Sequence, residues 1–245
     1  MTSRDGIIAA YAEMLLRYHR TLDLISDQAL ADLDRHIAEA RVYVRLIEEH
    51  AAKSPTILDL GSGAGLPGVV IAALLPEAEV VLVERRRRRK AFLELVTSRL
   101  GLTNTTVRGH DVRRLSGICA EVVTAQAVGS LAEVIGLTRH LQGDPCLLLS
   151  RRGADWRREL AQVSGVLDVE TSAGDRQLQL PSKAAPGTAG GGPAPARRRT
   201  SKRHVAAGPA GGRAAIAVLV EEPLGHRGSL VALRLAGGPA CRASE

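Results

Sequence analysis

Apolar residues recur at helical spacing through the first 50 residues of the chain. One set comprises Ile7, Ile8, Tyr11, Met14, Leu15 and Tyr18, and the other Leu30, Leu33, Ile37, Ala40, Val44 and Ile47. Intervals of three and four residues place such side chains on one face of a helix. We therefore predict an N-terminal helical cap over residues 1–54.

From residue 55 onward, short apolar segments alternate with helical ones. The predicted strands are 56–60, 79–84, 105–108, 121–125, 146–150 and 166–171. The predicted helices are 67–75, 87–100, 131–141 and 154–163. Strands separated by helices indicate βαβ crossovers and a mainly parallel sheet. The sequence predicts an α/β fold with a doubly wound, mainly parallel, Rossmann-like sheet, its core spanning 55–180.

The composition changes at Pro181, where a tract of glycine, proline and alanine begins and later gives way to clustered arginines. Such a tract cannot bury enough apolar surface to offset the entropy of ordering it. We therefore expect a disordered, low-complexity insertion over 181–214, placed before the last strand. Strand-like sequence returns at 216–220 and 229–235, so residues 215–245 are expected to complete the sheet.

Length and composition exclude several classes of protein. With 245 residues and 45% hydrophobic content, the chain can build one sizeable core. Its longest apolar run, 69–75, is far shorter than the roughly 18 residues of a membrane span. The three cysteines form no CxxC pair and the histidines lack metal-ligand spacing. We expect a soluble, cytoplasmic monomer without a metal.

The chain carries a formal net charge of +7, supplied mainly by arginine. A basic surface attracts polyanions, and guanidinium groups suit bidentate contacts to phosphate. RNA is the partner that this charge favours, although a genome biased toward arginine and alanine would produce a similar composition.

A glycine-rich turn follows the first predicted strand, in the segment from Asp59 to Gly65. Gly61, Gly63 and Gly65 leave backbone N–H groups and the next helix N-terminus free of side chains around a ligand. Such a turn binds nucleoside-containing cofactors. Because residues 63–68 also match GxGxxG, the turn alone does not separate S-adenosylmethionine from a dinucleotide.

Two acids follow the next two strands. Glu84 ends the second strand, where a carboxylate can accept hydrogen bonds from both ribose hydroxyls, a need shared by NAD and S-adenosylmethionine. Asp111, just after the third strand, is placed to accept from an adenine amino group. With no second phosphate-binding turn apparent, methyl transfer is favoured over hydride transfer. The alternative is that both acids are ordinary helix N-terminal residues.

These residues resemble the bacterial small-subunit (16S) rRNA guanine-N7 methyltransferases, once named glucose-inhibited division protein B. The resemblance covers much of residues 15–153 and is most specific in the segment from Leu58 to Gly68, because Leu-Pro-Gly after the glycine turn is unusual among methyltransferases. Supporting segments are Arg35-His36-Ile37, Val83-Glu84 with the basic residues that follow, Leu100-Gly101-Leu102 and 127–131.

The resemblance implies a Rossmann-like, S-adenosylmethionine-dependent methyltransferase and a set of residues that bind the cofactor. The set comprises Asp59, Gly61, Gly63, Gly65, Leu66, Glu84, Asp111, Val112 and Gln126. Within it, Glu84 would hold the ribose, and Asp111 with Val112 would flank the adenine. The chain departs from the family at Ala125-Gln126, where the family has Ser-Arg, and at 150–153, where it usually has Lys-Gly.

Two arginine clusters are the predicted RNA contacts. One comprises Arg85, Arg86, Arg88 and Arg89 at the start of a helix, and the other Arg151 and Arg152 after the fifth strand. Like charges at a helix N-terminus repel each other and oppose the helix dipole, a cost that bound phosphate would offset. The alternative is a solvated face with some glutamate pairing.

Guanine N7 carries a lone pair and no proton, so its methylation needs no general base. We therefore predict no acid–base catalytic residue, and expect rate enhancement from in-line placement of the base. Two other functions remain open at this point: a small-molecule methyltransferase, and a non-catalytic RNA-binding protein on the same fold.

Overall fold

The computed structural model describes residues 3–164, 168–171, 215–224 and 228–237. Its N-terminal cap contains helices α1 (Arg4–Leu22), α2 (Asp27–Ala31) and α3 (Leu33–His50). The hydroxyls of Ser3 and Ser26 accept hydrogen bonds from backbone amides in the first turns of α1 and α2, which fixes where both helices begin. The second predicted helical stretch is therefore two helices that meet at Asp32.

The core is a sheet whose strands alternate with helices along the chain. The strands are β1 (Thr56–Leu60), β2 (Glu79–Val83), β3 (Thr105–Arg108), β4 (Ala120–Gln126), β5 (Gln142–Arg152), β6 (Asp168–Thr171), β7 (Ala215–Pro223) and β8 (Ser229–Ala236). The helices between them are α4 (Gly68–Leu74), α5 (Arg87–Arg99), α6 (Leu131–Thr138) and α7 (Trp156–Ser164). The strand order is β3-β2-β1-β4-β5-β8-β7-β6.

Every strand pairing is parallel except those of β8, which runs antiparallel to β5 and β7. The predicted fold class is confirmed. The largest boundary differences are that β5 begins at Gln142, that α6 ends at Thr138 before a short 3-10 turn, and that β7 continues to Pro223. The two predicted C-terminal strands are present as β7 and β8, while residues 181–214 of the predicted insertion lie outside the described part of the chain.

The central strands β1 and β2 are buried on both faces, which explains their mostly apolar sequence. Successive residues of β1 and β2 point to opposite sides, so Ile57 and Val80 pack with the cap, α4 and α5. Leu58 and Val81 pack with α6 and α7 on the other side. The cap thus covers one face of the sheet over its first strands.

The chain reverses direction across the sheet at β1, which lies between β2 and β4. In open α/β sheets, ligands bind at such a switch point, beyond the carboxyl ends of the strands. The same edge holds the glycine turn after β1 and Glu84 after β2. No helix in the described residues is long and apolar enough to cross a membrane.

Candidate active site

A cavity of about 610 Å³ opens at the carboxyl ends of β1, β2 and β4. Its volume lies within the usual range of small-molecule sites. The sheet side of its lining comprises Leu60–Ala64, Leu66, Val83–Arg86, Arg89, His110–Arg113, Gln126–Gly129 and Leu137. The cap side comprises Leu24, Ile25, Ala29 and His36. Among the described residues, no cluster of side chains could hold a metal ion.

The glycine turn has a left-handed backbone, with φ of +73° at Gly61, +57° at Gly63 and +108° at Gly65. The amides of Gly61 and Ser62 both donate to the carbonyl oxygen of Val83, at 2.9 and 3.0 Å, which ties the turn to the end of β2. A Cβ on Gly63 would find no atom closer than 3.7 Å. The turn is therefore open to a ligand at Gly63.

Gly65 faces the protein interior rather than the cavity, because it is absent from the cavity lining. A Cβ at this position would lie 2.6 Å from Cγ2 of Val69 and 3.0 Å from the Tyr11 hydroxyl. That hydroxyl, on cap helix α1, donates to the Ala64 carbonyl at 2.9 Å. Gly65 thus lets the cap and α4 approach the turn closely.

Glu84 lies at the mouth of the turn and is 6% exposed. Its Oε2 accepts from the Gly63 amide at 3.1 Å and its Oε1 from the Arg86 amide at 2.7 Å. A carboxylate offers about four lone-pair positions, so roughly two stay free for further donors. The side chain borders the cavity, as a ribose-binding carboxylate would.

Asp59 lies beneath the turn, is 1% exposed and does not line the cavity. Its Oδ1 accepts from the Thr124 hydroxyl at 2.6 Å, while no hydrogen bond of normal geometry reaches Oδ2, which lies against Gly68. Burial raises the pKa of this carboxyl to about 6, although the hydrogen bond from Thr124 and the nearby Gly68 amide oppose the rise. The structure gives Asp59 a supporting position beneath the glycine turn.

Asp111 and Val112 line the same cavity as the glycine turn. Asp111 Oδ1 accepts from the Arg113 amide at 3.0 Å, and Oδ2 from the Arg113 guanidinium at 3.1 Å. These contacts, led by the backbone hydrogen bond, lower the pKa of Asp111. Asp111 therefore caps a short 3-10 turn, as the alternative interpretation expected, and also borders the cavity beside the buried Val112.

Leu66 and Gln126 line the cavity as well. Gln126 ends β4, and its Cα pairs in register with that of Arg151 on β5. The neighbouring strand β5 thus carries an arginine, Arg151, at the position beside Gln126.

The two predicted arginine clusters differ in accessibility. Arg85, Arg86 and Arg88 are exposed, and their side chains form no ion pair within the described residues, while Arg89 Nε donates to the Asp23 carbonyl at 3.1 Å. Of these four, Arg85, Arg86 and Arg89 line the cavity. The first cluster is therefore open to an anionic partner.

The second cluster requires a correction. Arg152 is only 7% exposed, and its guanidinium donates to the Gly129 carbonyl at 2.7 Å and pairs with Glu159 at 3.2 Å. Arg151 pairs with Glu39 of the cap at 3.3 Å. Because a buried guanidinium with its own partners cannot reach a phosphate, Arg152 holds the loop after β4 rather than RNA.

Sequence reasoning missed the cap wall of the cavity. His36 was noted only as part of the family resemblance, and no role was inferred for Leu24, Ile25 or Ala29. One signal was available: Arg35, His36 and Glu39 follow each other at the helical spacings that allow side-chain pairing.

The family model described as rRNA small subunit methyltransferase G matches residues 5–184 of this chain. A protein of Sorangium cellulosum named ribosomal RNA small subunit methyltransferase G is 31% identical over 190 residues, which is 74% of this chain and 79% of that protein. A protein of the same name from Nitrosomonas eutropha is 32% identical over 165 residues, covering 65% and 75%. The solved structure of a SAM-dependent O-methyltransferase from Thermotoga maritima aligns with a TM-score of 0.49 at 15% identity, over 85% of this chain and 67% of that one.

Proposed function

Because this chain belongs to the rRNA small subunit methyltransferase G family and is an S-adenosylmethionine-dependent methyltransferase, we propose that it methylates N7 of a guanine in small-subunit (16S) rRNA. The observation that carries the proposal is a cavity at the sheet switch point that joins an open glycine turn, the Glu84 carboxylate and a wall from the cap.

The residues present fit S-adenosylmethionine. The left-handed turn leaves space at Gly63, and Glu84 keeps free lone pairs for the ribose hydroxyls. Val112 would pack against the adenine, Asp111 would accept from its amino group, and Leu66 and Gln126 would border the remainder. Asp59 and Gly65 do not line the cavity, and they would contribute by holding the glycine turn in its conformation. When bound, the cofactor supplies an electrophilic methyl group on a sulfonium.

The reaction requires alignment more than proton transfer. N7 of guanine attacks with a lone pair and loses no proton, so no side chain has to serve as a base. The protein must hold the purine edge in line with the methyl group and exclude water, and alignment of this kind contributes several kcal/mol to catalysis. Leu24, Ile25 and Ala29 supply an apolar wall for that purpose.

The exposed guanidinium groups of Arg85, Arg86 and Arg88 would bind the RNA backbone beside the cavity. Their position at the start of α5 brings like charges together, and phosphate would relieve that repulsion. Arg151 already pairs with Glu39. It stays in the proposed RNA-binding set because it lies beside Gln126 at the end of β4.

Three further properties belong to the proposal. A chain acting on ribosomal RNA meets its substrate in the cytoplasm, works as a monomer, and needs no metal because the nucleophile is a neutral ring nitrogen. Sedimentation at micromolar concentration tests the monomer, and undiminished turnover after dialysis against a chelator tests the absence of a metal requirement.

The substrate is tested by measuring N7-methylguanosine in small-subunit rRNA by mass spectrometry, with and without the gene. Deletion should abolish one N7-methylguanosine, and the wild-type gene should restore it. Gly63→Asp should not restore it, because a carboxylate would project into the cofactor site. Gly101→Asp is the matched control, since Gly101 also has a positive φ and lies in open space outside the cavity lining. An unchanged N7-methylguanosine level after deletion would refute the substrate.

A further inference from the structure

The cap contributes four residues to the cavity, and only one of them is polar. Leu24, Ile25 and Ala29 are apolar, whereas His36 brings an imidazole from the first turn of α3. Sites for flat ligands combine an apolar wall with a few polar groups that fix orientation. The cap side of the cavity has this composition, and it lines the same cavity as the glycine turn.

A buried carboxylate on the same helix holds that imidazole. Glu39 is 8% exposed, and its Oε2 lies 3.4 Å from His36 Nδ1 and 3.3 Å from an Arg151 guanidinium nitrogen. Its Oε1 accepts from Arg35 at 3.0 Å. The carboxylate thus joins α3 to the end of β5, and it fixes the imidazole from the protein side.

The contact with Glu39 determines which nitrogen carries the proton. An ionised carboxylate only accepts hydrogen bonds, so Nδ1 must be the protonated nitrogen. Nε2 makes no hydrogen bond to any described residue, and the side chain is 13% exposed. In the neutral ring, Nε2 is therefore an acceptor that is available to a ligand.

We propose that His36 selects guanine by accepting a hydrogen bond at Nε2 from its Watson–Crick edge, and that Glu39 is the positioning residue that orients the ring. This inference rests on the proposed function and names the residue that reads the base. Guanine presents N–H donors at N1 and N2, whereas adenine presents an acceptor at N1, so an acceptor on the protein favours guanine. N7 lies on the Hoogsteen edge of the purine, so this hydrogen bond leaves it free to face the cofactor.

The test uses the full chain, labelled S-adenosylmethionine and small ribosomal subunits from a strain that lacks the gene. His36→Ala should lower kcat/KM for the subunits by roughly 10- to 100-fold, as expected for a lost hydrogen bond in a water-excluded site. The Kd for S-adenosylmethionine, measured by calorimetry, should stay within about twofold. His36→Gln, which keeps an acceptor of similar reach, should recover part of the loss.

Glu39 is tested through its coupling to His36. Glu39→Gln should lower kcat/KM, and the double variant with His36→Ala should be no worse than His36→Ala alone, because Glu39 acts through the ring. Glu49→Gln is the matched control: it removes a carboxylate that pairs with an arginine on the same helix, outside the cavity lining. It should leave kcat/KM unchanged.

Three results would overturn the inference. The first is an unchanged kcat/KM in His36→Ala. The second is an additive effect of His36→Ala and Glu39→Gln on kcat/KM. The third is a loss of S-adenosylmethionine affinity in His36→Ala as large as its loss of kcat/KM. A wild-type chain that is inactive on the subunits would refute the proposed function and, with it, this role of His36.

Discussion

Ionisation of Asp59 should reduce the stability of the protein at neutral pH. The carboxyl is fully buried beneath the glycine turn, and only one of its oxygens has a hydrogen bond of normal geometry. Burial raises its pKa from 3.8 to about 6. The folded protein therefore binds this proton more tightly than the unfolded chain does.

The sign and size of the effect follow from that difference. The stability contributed by protonated Asp59 is complete below about pH 4 and is lost as the pH rises through about 6. At about 1.36 kcal/mol per pKa unit, the full loss amounts to about 3 kcal/mol. Complete burial leaves little solvent screening to reduce this figure.

Urea denaturation of the wild type and Asp59→Asn, without cofactor, measures the effect between about pH 4 and pH 8. The unfolding free energy of the variant minus that of the wild type should rise by about 2 to 3 kcal/mol over this range and level off above about pH 6. Asp111→Asn is the control, since its carboxyl is exposed and its pKa is lowered, so the difference should not rise. Parallel curves for the wild type and Asp59→Asn would refute the reasoning.

Three further predictions concern the turn and the basic surface. Glu84→Gln should weaken S-adenosylmethionine binding by roughly 10- to 100-fold in calorimetry, because charged acceptors bind hydroxyls more strongly. Gly65→Ala should lower the unfolding free energy by about 3 kcal/mol, through a positive φ and a steric clash, whereas Gly101→Ala, with positive φ in open space, should cost about 1 to 2 kcal/mol. Replacing Arg85 and Arg88 by alanine should lower the slope of log affinity for RNA against log salt by about 1.5, whereas an unchanged slope would exclude phosphate contacts there.

The sequence predicted the sheet well, and it predicted that the glycine turn and Glu84 lie at one edge of that sheet, because both depend on local patterns. The central strands β1 and β2 are buried on two faces, so they are mostly apolar, and the helices carry helical periodicity. The turn needs left-handed backbone at Gly61 and Gly63, which glycine adopts at little cost. Glu84 follows β2, and parallel strands bring such residues to the same edge of the sheet.

The sequence by itself therefore determined the fold class, the family, the glycine turn and the acid that borders it. Only the tertiary structure decided that Arg152 is buried against Glu159, that Asp59 supports the turn from beneath, and that His36 of the cap lines the same cavity as the turn. The pairing of Glu39 with Arg151 joins residues far apart along the chain. Burial and charge pairing of this kind arise when distant segments pack together, so neither periodicity nor motif spacing encodes them locally.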